Sequence, residues 1–325
     1  MAIRDLPAAR RRALVALAGL GAGLLLPAEL RAAEDDRPLR IVLAYPPGGV
    51  SDEVARLLAD RLAAERGTPV LVEHRPGGGG GIAMEMLARA APDGRLLVFS
   101  AITPLTLLPR YGPVRYQPQR DIAPVAAVMS TATLVAGTPA LPADSFAQLL
   151  ALARARPGAL RWATTGVGTT GYRVLEAVGQ ALKLDITHIP YKGGGQSLQD
   201  ALGGQFEVMS TNVAPAQLQY VAQRRLKALA VGAPRRLPEL PDVPTLAELG
   251  VPDANLVSRF GLFAPAGTPR ALRRALNAEV NRALREPALR ERLRAGHNAV
   301  AEGGVEDFEA AICAEMPSRG ACHWG

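Results

Sequence analysis

Residues 159–173 read Ala-Leu-Arg-Trp-Ala-Thr-Thr-Gly-Val-Gly-Thr-Thr-Gly-Tyr-Arg, which predicts a short strand, a turn rich in glycine and threonine, and the start of a helix. The first N–H groups of a helix have no partner within it, so a carboxylate or phosphate is a natural partner for such a turn. Glycine lets the backbone approach a ligand closely, and threonine hydroxyls both donate and accept hydrogen bonds. We predict an anion-binding turn here, called the cradle turn below. Its candidate residues are Thr164, Thr165, Gly166, Gly168, Thr169, Thr170 and Gly171.

The same turn fits the dinucleotide fingerprint G-x-G-x-x-G between Gly166 and Gly171. In a nucleotide-binding unit, an acidic residue for the ribose is expected about 20 residues further on, at the end of the next strand. Here the strand predicted at 186–191 is followed by Lys192, and a lysine could accept a 2′-phosphate. An exported NADP-dependent oxidoreductase that uses this loop therefore stays an alternative function, and a purely structural turn is a second alternative.

Residues 1–32 have the pattern of an export signal. Three arginines at 10–12 precede an apolar run at 13–26, and Ala32 and Ala33 follow as small residues where a peptidase could cut. The apolar run is too short to span a membrane stably. We expect the rest of the chain to be a soluble periplasmic protein, exported by the general or the twin-arginine route.

The net charge of the chain outside the predicted export signal is small. The whole chain has a formal net charge of +7, and because the signal holds five arginines and two acidic residues, the remainder carries +4. The remaining arginines are dispersed with few aromatic residues among them. This pattern argues against a nucleic-acid surface.

Residues for catalysis or metal binding are sparse. The four histidines are widely spaced in the sequence and have no partners at metal-ligand spacing. The sequence contains no G-x-S-x-G motif and no convincing arrangement of serine, histidine and acid. We therefore predict a binding protein with no catalytic residues, no metal and no cofactor.

Strand and helix patterns alternate from residue 40 onward. Apolar strands are predicted at 40–45, 69–73 and 95–99. Repeated units with short turns imply a parallel sheet covered by helices on both faces, with ligands at the carboxyl ends of the strands. The turns at Pro46, Gly77 and Ser100 are therefore expected to share one edge of the sheet.

A second set of strands and helices surrounds the cradle turn. Two extended stretches, near 130–137 and 258–264, connect it to the first set, so we expect two lobes with a cleft between them. The helix after the first turn is predicted to be capped by Ser51 or Asp52. Residues 102–124, which are rich in proline and tyrosine, are expected to form a surface connection.

Seven blocks of the chain resemble, in order and spacing, the periplasmic substrate-binding proteins of tripartite tricarboxylate transporters, called Bug receptors. The blocks are Tyr-Pro-Pro-Gly-Gly-Val-Ser-Asp at 45–52, Val-Glu-His-Arg-Pro-Gly at 72–77, Ala-Pro-Asp-Gly at 91–94, Thr-Gly-Val-Gly-Thr at 165–169, His-Ile-Pro-Tyr-Lys-Gly at 188–193, Pro-Asp-Val-Pro-Thr at 241–245 and Ala-Pro-Ala-Gly-Thr-Pro at 264–269. Two positions differ from the family pattern: His74 stands where the family usually has Asn, and Tyr172 where it has His or a similar side chain.

The resemblance implies an α/β protein with the two-domain type II periplasmic-binding-protein fold. Each lobe would be a mostly parallel sheet flanked by helices, and two crossover strands would join the lobes. On this basis we expect lobe 1 at 33–134 and 262–325, and lobe 2 at 135–261. The resemblance also implies a monomeric, non-enzymatic receptor. It would bind a small organic anion, such as a dicarboxylate, an amino acid or an aromatic acid, and deliver it to a membrane permease.

In the family, the first loop and the cradle turn face each other across the cleft and hold a carboxylate through backbone N–H groups and ordered water. The resemblance assigns these roles to Pro47, Gly48, Gly49 and Val50 on one side and to Gly166, Gly168, Thr169 and Thr170 on the other. Asp52 could cap a helix or bind an amine, and residues at strand ends could contact the distal end of the ligand. The strand-end residues are Tyr191, Lys192 and Asn212. The candidate set is completed by Tyr45, Ser100, Thr165 and Gly193.

The only two cysteines are Cys313 and Cys322, both near the end of the chain. In an oxidising compartment they could pair. Their position in a terminal segment is equally compatible with two free thiols.

Overall fold

The computed structural model describes residues 37–316 together with Cys322 and Trp324, so the predicted export signal at 1–32 lies outside the described residues. No helix within the described part has the length and apolar character that a membrane span requires.

The strands are β1 (Leu39–Leu43), β2 (Val70–His74), β3 (Leu96–Ala101), β4 (Ile122–Gly137), β5 (Arg161–Thr164), β6 (Thr187–Pro190), β7 (Val208–Asn212), β8 (Lys227–Gly232), β9 (Val257–Pro265) and β10 (Asn298–Val300). The helices are α1 (Val50–Arg66), α2 (Gly81–Ala88), α3 (Thr103–Thr106), α4 (Pro118–Asp121), α5 (Phe146–Ala155), α6 (Thr170–Leu182), α7 (Gly194–Leu202), α8 (Pro215–Ala222), α9 (Arg270–Arg285), α10 (Pro287–Ala295) and α11 (Val305–Glu315).

Three parallel strands form the basis of the first lobe. β1 pairs in parallel with β2 and with β3, and Leu43 lies opposite His74 on one side and Phe99 on the other. The carboxyl ends of these strands therefore lie side by side. The prediction that the turns after these strands share one edge of the sheet is confirmed.

The second lobe repeats this arrangement. β5 pairs in parallel with β6 and with β7, so the turns after these strands also share an edge. The cradle turn follows β5 and leads into α6, and the turn at 191–193 follows β6 and leads into α7.

One strand, β4, belongs to both lobes. Its residues 122–132 pair with β9, and its residues 133–137 pair with β7 and β8, in each case antiparallel. β9 also pairs antiparallel with β3, so it lies wholly in the first lobe. Since β9 begins at Val257, we propose that lobe 1 resumes near residue 257. The other limits of the two lobes remain predictions.

Apolar side chains of the first lobe form one cluster on each face of its sheet. Ile41 and Phe99 belong to the cluster under α1, α9 and α10, whereas Val42, Val98 and Phe263 belong to the cluster under α2 and α11. Successive strand residues point to opposite faces, which is why neighbouring apolar positions supply both clusters. The sheet is thereby covered on both sides, as parallel strands require.

Two local expectations were wrong. The helix α1 begins at Val50 with Gly49 as its N-cap, so neither Ser51 nor Asp52 occupies the cap position. Residues 102–124 are not a plain surface connection, because they include α3 and α4 and bury Leu105 and Tyr116 in the first-lobe core. The Tyr116 hydroxyl donates to the carbonyl oxygen of Pro104 at 2.7 Å, which fixes the path of this segment.

The two cysteines are paired. A disulfide joins Cys313, in α11, to Cys322. Trp324 is buried in the same cluster as Phe308 and Ile312 of α11. The described residues of the terminal segment therefore pack against the first lobe.

A buried ion pair connects α9 and α11. The Arg273 side chain is 1% exposed, and its Nη1 donates to Glu309 Oε1 at 2.8 Å. Glu309 itself is 9% exposed. Removing one partner from such a pair leaves a buried charge without its counter-ion, which costs far more than the loss of a surface pair.

We expect Glu309→Ala to lower the free energy of unfolding by about 3–5 kcal/mol, since it removes the carboxylate from a buried guanidinium. Urea unfolding followed by circular dichroism measures the change. The matched control is Glu306→Ala, which removes an exposed carboxylate bound to Arg270 and Arg274 on the same pair of helices. Equal losses for the two variants would contradict the special role of the buried pair.

Candidate functional site

The first loop, between β1 and α1, is held by the carboxylate of Asp52. Gly48 adopts a φ of 84°, which favours glycine, and its N–H donates to Asp52 Oδ2 at 3.0 Å. Arg56 Nε and His74 Nε2 contact Asp52 Oδ1 at 3.0 and 2.7 Å. Burial disfavours the charged form of Asp52, but these three hydrogen bonds outweigh it and hold its pKa below the usual value. Asp52 is therefore ionised. Its carboxylate holds the first loop in place through hydrogen bonds that are already formed.

The hydrogen bonds that Asp52 already makes bear on both of its predicted roles, helix capping and amine binding. It is the third residue of α1 and accepts an N–H from the residue before the cap, so it supports the helix start without being the cap. An amine ligand would have to compete with three existing donors for this carboxylate. His74, which stands where the family usually has Asn, is one of those donors.

The cradle turn is organised by its threonines. Thr169 is the N-cap of α6: its hydroxyl oxygen accepts from Tyr172 N–H at 3.3 Å and its O–H donates to the Gly166 carbonyl at 2.7 Å. Thr164 Oγ1 accepts from Gly166 N–H at 3.0 Å and contacts His188 Nε2 at 2.8 Å. Both hydroxyls are thus used within the turn. The groups that the turn can offer to an anion include the first backbone N–H groups of α6, at Thr170 and Gly171, which have no partner inside the helix.

Two different constraints require glycine in the cradle turn. Gly166 and Gly168 have φ values of 109° and 77°, which side chains rarely adopt. Gly171 packs against β7, where an added Cβ would lie 2.7 Å from the carbonyl oxygen of Ser210. The first two glycines are therefore required by the turn, and the third by the contact between helix and sheet.

The turns of the two lobes touch each other at three places. An added Cβ on Gly79 would lie 2.9 Å from the Val167 carbonyl oxygen, and one on Gly193 would lie 2.8 Å from Pro46. An added Cβ on Gly168 would lie 2.8 Å from the backbone Cα of Leu108. Turns and loops of the first lobe therefore lie directly against the turns that follow β5 and β6 in the second lobe.

A segment at 107–111, called the strap below, extends from the first lobe and contacts the second. Leu108 covers Gly168, and the Tyr111 hydroxyl donates to Glu176 Oε2, in α6, at 2.6 Å. The Tyr111 ring also meets that of Tyr172 edge to face at 5.1 Å. Burial, followed by the bond to Glu176, raises the pKa of Tyr111 and keeps its phenol protonated as a donor. Neither Leu108 nor Tyr111 was among the predicted site residues.

Two hydroxyl groups lie at the edge of the first-lobe sheet where the parallel strands end. Tyr45 packs its ring edge against Phe260, and its oxygen accepts from Ala101 N–H at 3.0 Å. Ser100, the next-to-last residue of β3, is fully buried. Its side chain lies against the backbone of Gly80, where an added Cβ would be 3.2 Å from Ser100 Oγ.

Three predicted residues have other partners or positions. The Tyr191 hydroxyl donates to Asp200 Oδ2 at 2.8 Å within its own lobe, and its ring packs on Phe206. Asn212 Oδ1 accepts from the Ser258 hydroxyl at 2.7 Å, where the chain returns to the first lobe. Lys192 is exposed. A ligand role for these three remains a prediction.

Two cavities lie away from these turns. One of about 370 Å³ is bounded by Gln119, Ile122 and Trp324, and one of about 160 Å³ by Met129, Phe260 and Phe308. Both belong to the first lobe, and neither is lined by a predicted ligand-binding residue.

Sequence comparison gives one family match, described as the tripartite tricarboxylate transporter family receptor, over residues 54–320. The chain is 35% identical over 295 residues to a protein encoded in the gbd 5′ region of Cupriavidus necator, covering 87% of this chain and 88% of that one. It is 35% identical over 257 residues to the protein BugT of Bordetella pertussis, covering 78% of each chain.

Solved structures show the same relationship. MatC from Rhodopseudomonas palustris with bound malate has a TM-score of 0.80 and 30% identity, covering 86% of this chain and 96% of that one. Another R. palustris protein, with adipate, has a TM-score of 0.78 and 30% identity, covering 86% and 94%. The two-domain periplasmic-binding-protein fold and the resemblance to Bug receptors are therefore confirmed. This chain belongs to the family of tripartite tricarboxylate transporter receptors.

Proposed function

We propose that this protein is a periplasmic receptor that binds a small carboxylate-containing ligand in the cleft between its lobes and delivers it to the membrane permease of a tripartite tricarboxylate-type transporter. The observation that carries the proposal is the convergence of helix starts from both lobes. α1 begins beside the first loop, and α6 and α7 begin at turns that contact the first lobe. Helix starts present unpaired N–H groups and the positive end of the helix dipole, and both favour a carboxylate.

The relatives support the ligand class. The solved structures with malate and adipate hold small carboxylates on folds that overlay with this one. The family itself consists of transporter receptors, which supports a binding role over the alternative of an NADP-dependent enzyme. In the cradle turn, the glycine that would end the dinucleotide fingerprint packs on β7, which accounts for its presence without a nucleotide.

The contacts between the turns support a closing motion. The strap and the cradle turn meet directly, so a ligand held by the cradle turn is enclosed between the lobes. Entry and release then require the lobes to separate, as in other hinged receptors. β4, which is shared by both lobes, is the element about which they would move.

We expect a panel of small carboxylates to include at least one that raises the thermal midpoint, because a ligand that binds only the folded state stabilises it by RT ln(1 + [L]/Kd). The panel contains dicarboxylates, amino acids and aromatic acids, with NADP as the competing ligand. A midpoint that moves with NADP and with none of the acids would favour the oxidoreductase.

Gly168→Val is expected to abolish ligand binding, because the side chain would meet the backbone of Leu108 and keep the lobes apart. The position also has a φ of 77°, so the substitution carries about 1–3 kcal/mol of backbone strain. Calorimetric titration of the folded variant measures the loss.

The matched control for strain alone is Gly67→Val. Gly67 has a φ of 67°, and an added Cβ there meets nothing within 4 Å. This variant should lose comparable stability and keep full affinity. If Gly168→Val is folded and binds as tightly as the wild type, the cradle turn is a structural turn and the site lies elsewhere.

Tyr111→Phe removes the hydroxyl that bonds Glu176 and keeps the ring against Tyr172. A hydrogen bond to a charged group contributes about 1.5–3 kcal/mol, and this one forms only when the lobes are closed. We expect a larger radius of gyration without ligand, by small-angle scattering, and weaker binding. Tyr220→Phe, on α8 of the second lobe, is the control. Unchanged scattering and affinity would show that the strap does not hold the lobes together.

A further inference from the structure

One titratable side chain outside the predicted ligand-binding residues is bonded to the cradle turn. His188, on β6, contacts Thr164 Oγ1 through its Nε2, and the same hydroxyl oxygen accepts the Gly166 N–H. Since these two distances are 2.8 and 3.0 Å, the ring nitrogen lies within about 6 Å of a backbone N–H of the turn. His188 is therefore in direct contact with the residue that shapes the turn.

The His188 ring also lies beside the start of α6. Its centroid is 4.8 Å from that of Tyr172, the third residue of this helix, and the Tyr172 ring in turn meets Tyr111 of the strap. The first N–H groups of a helix carry the positive end of the helix dipole, so a positive charge beside them is unfavourable. An anion bound at these N–H groups would offset that cost.

The charged groups around His188 are paired with one another. The charged residues of α6, Arg173 and Glu176, bond at 3.1 Å, and Arg161, the charged residue of β5, bonds to Glu207 at 2.6 Å. β6 carries no other ionisable residue. Within the described part of the chain, no carboxylate is bonded to His188. Burial lowers the pKa of His188, so the ring is neutral at neutral pH while the site is empty.

The histidine beside the first loop differs in this respect. His74 Nε2 lies 2.7 Å from Asp52 Oδ1, so a proton on His74 is balanced by an adjacent carboxylate. A proton on His188 adds a positive charge that its protein contacts leave unbalanced. A carboxylate bound at the cradle turn would supply the missing negative charge.

We propose that His188 is a positioning residue that takes up a proton when the ligand binds, so that the receptor holds its carboxylate ligand more tightly in mildly acidic than in neutral solution. The proposal rests on the proposed function, in which the cradle turn binds a carboxylate.

The cradle turn keeps its hydrogen bonds in both states of the ring. When His188 is neutral, the Thr164 hydroxyl can donate to Nε2 at 2.8 Å. When His188 is protonated, Nε2 donates to Thr164 Oγ1, and the hydroxyl can turn to the Gly166 carbonyl oxygen at 3.5 Å. The Gly166 N–H bonds to Thr164 in either case. Proton uptake therefore adds charge beside the turn without dismantling it.

The direction of the pH dependence follows from the charges. A bound carboxylate stabilises the protonated ring, so the pKa of His188 is higher in the complex than in the empty protein. Affinity then starts to rise as the pH falls through the pKa of the complex, and the gain is complete below the pKa of the empty protein. Each pKa unit between the two states corresponds to about a tenfold gain in affinity.

The test is calorimetric titration of malate, adipate, glutamate and benzoate at about pH 6 and about pH 8, on either side of the range in which histidine titrates. The proteins are the wild type, His188→Gln and the control His297→Gln. For an acid that binds, we expect the wild-type affinity to be roughly 3- to 10-fold higher at the lower pH.

His188→Gln has an amide that can still bond to Thr164 but cannot take up a proton. The ratio of its affinities at the two pH values should therefore fall to about one. His297 is bonded to Glu239 and lies between α10 and β10, so its variant should keep the wild-type ratio. If His188→Gln lowers affinity by the same factor at both pH values, the role of the ring is purely structural and the inference is wrong.

NMR titration of the wild-type histidine ring signals gives a readout that needs no variant. The His188 signals, assigned through the backbone, should show a higher pKa when a binding acid saturates the protein than when the site is empty. An unchanged pKa would overturn the inference and leave the receptor function standing. If none of the four acids binds the wild type, the inference and the proposed function both fail.

Discussion

The continuity of β4 is the constraint on which the site depends. Its first eleven residues, 122–132, are part of the first lobe, and 133–137 are part of the second. Because one strand forms hydrogen bonds to both sheets, β4 connects the two lobes directly. The parallel strands on either side lead into α1, α6 and α7, whose starts we propose to surround the ligand.

The sequence predicted this arrangement from local signals. Short apolar strands followed by glycine-rich turns determine a parallel sheet and the edge at which its turns meet. The roles of single side chains were harder to predict, since they depend on partners that are distant in the sequence. Asp52 was expected as a cap, and its bond to His74 joins helix α1 to the end of strand β2. The strap was missed because its segment has no hydrophobic period, and its partners Gly168 and Glu176 lie in the other lobe. The presence of a tyrosine in a proline-rich connection was the only local sign.

The site separates two tasks that are often combined in one residue. Asp52, Thr164 and Thr169 each bond to a backbone group of their own turn, and Asp52 and Thr164 also bond to the side chains of His74 and His188. These bonds hold the shape of the two turns. In the proposed binding mode, backbone N–H groups at the helix starts remain for the ligand. A site of this kind binds an anion without a permanent buried cation, whose desolvation would itself be costly.

The position of β9 has a consequence for how the protein is made. β3 has β9 as its neighbour, and Ser100 lies opposite Gly261, so most of the second lobe separates the two strands in the sequence. During synthesis from the N-terminus, β1, β2 and β3 emerge long before β9 and the helices that cover them. The first lobe therefore stays an incomplete sheet with an open edge until the second lobe has followed it. Contacts between segments so distant in sequence form slowly, and an unpaired strand edge is prone to aggregation in the meantime.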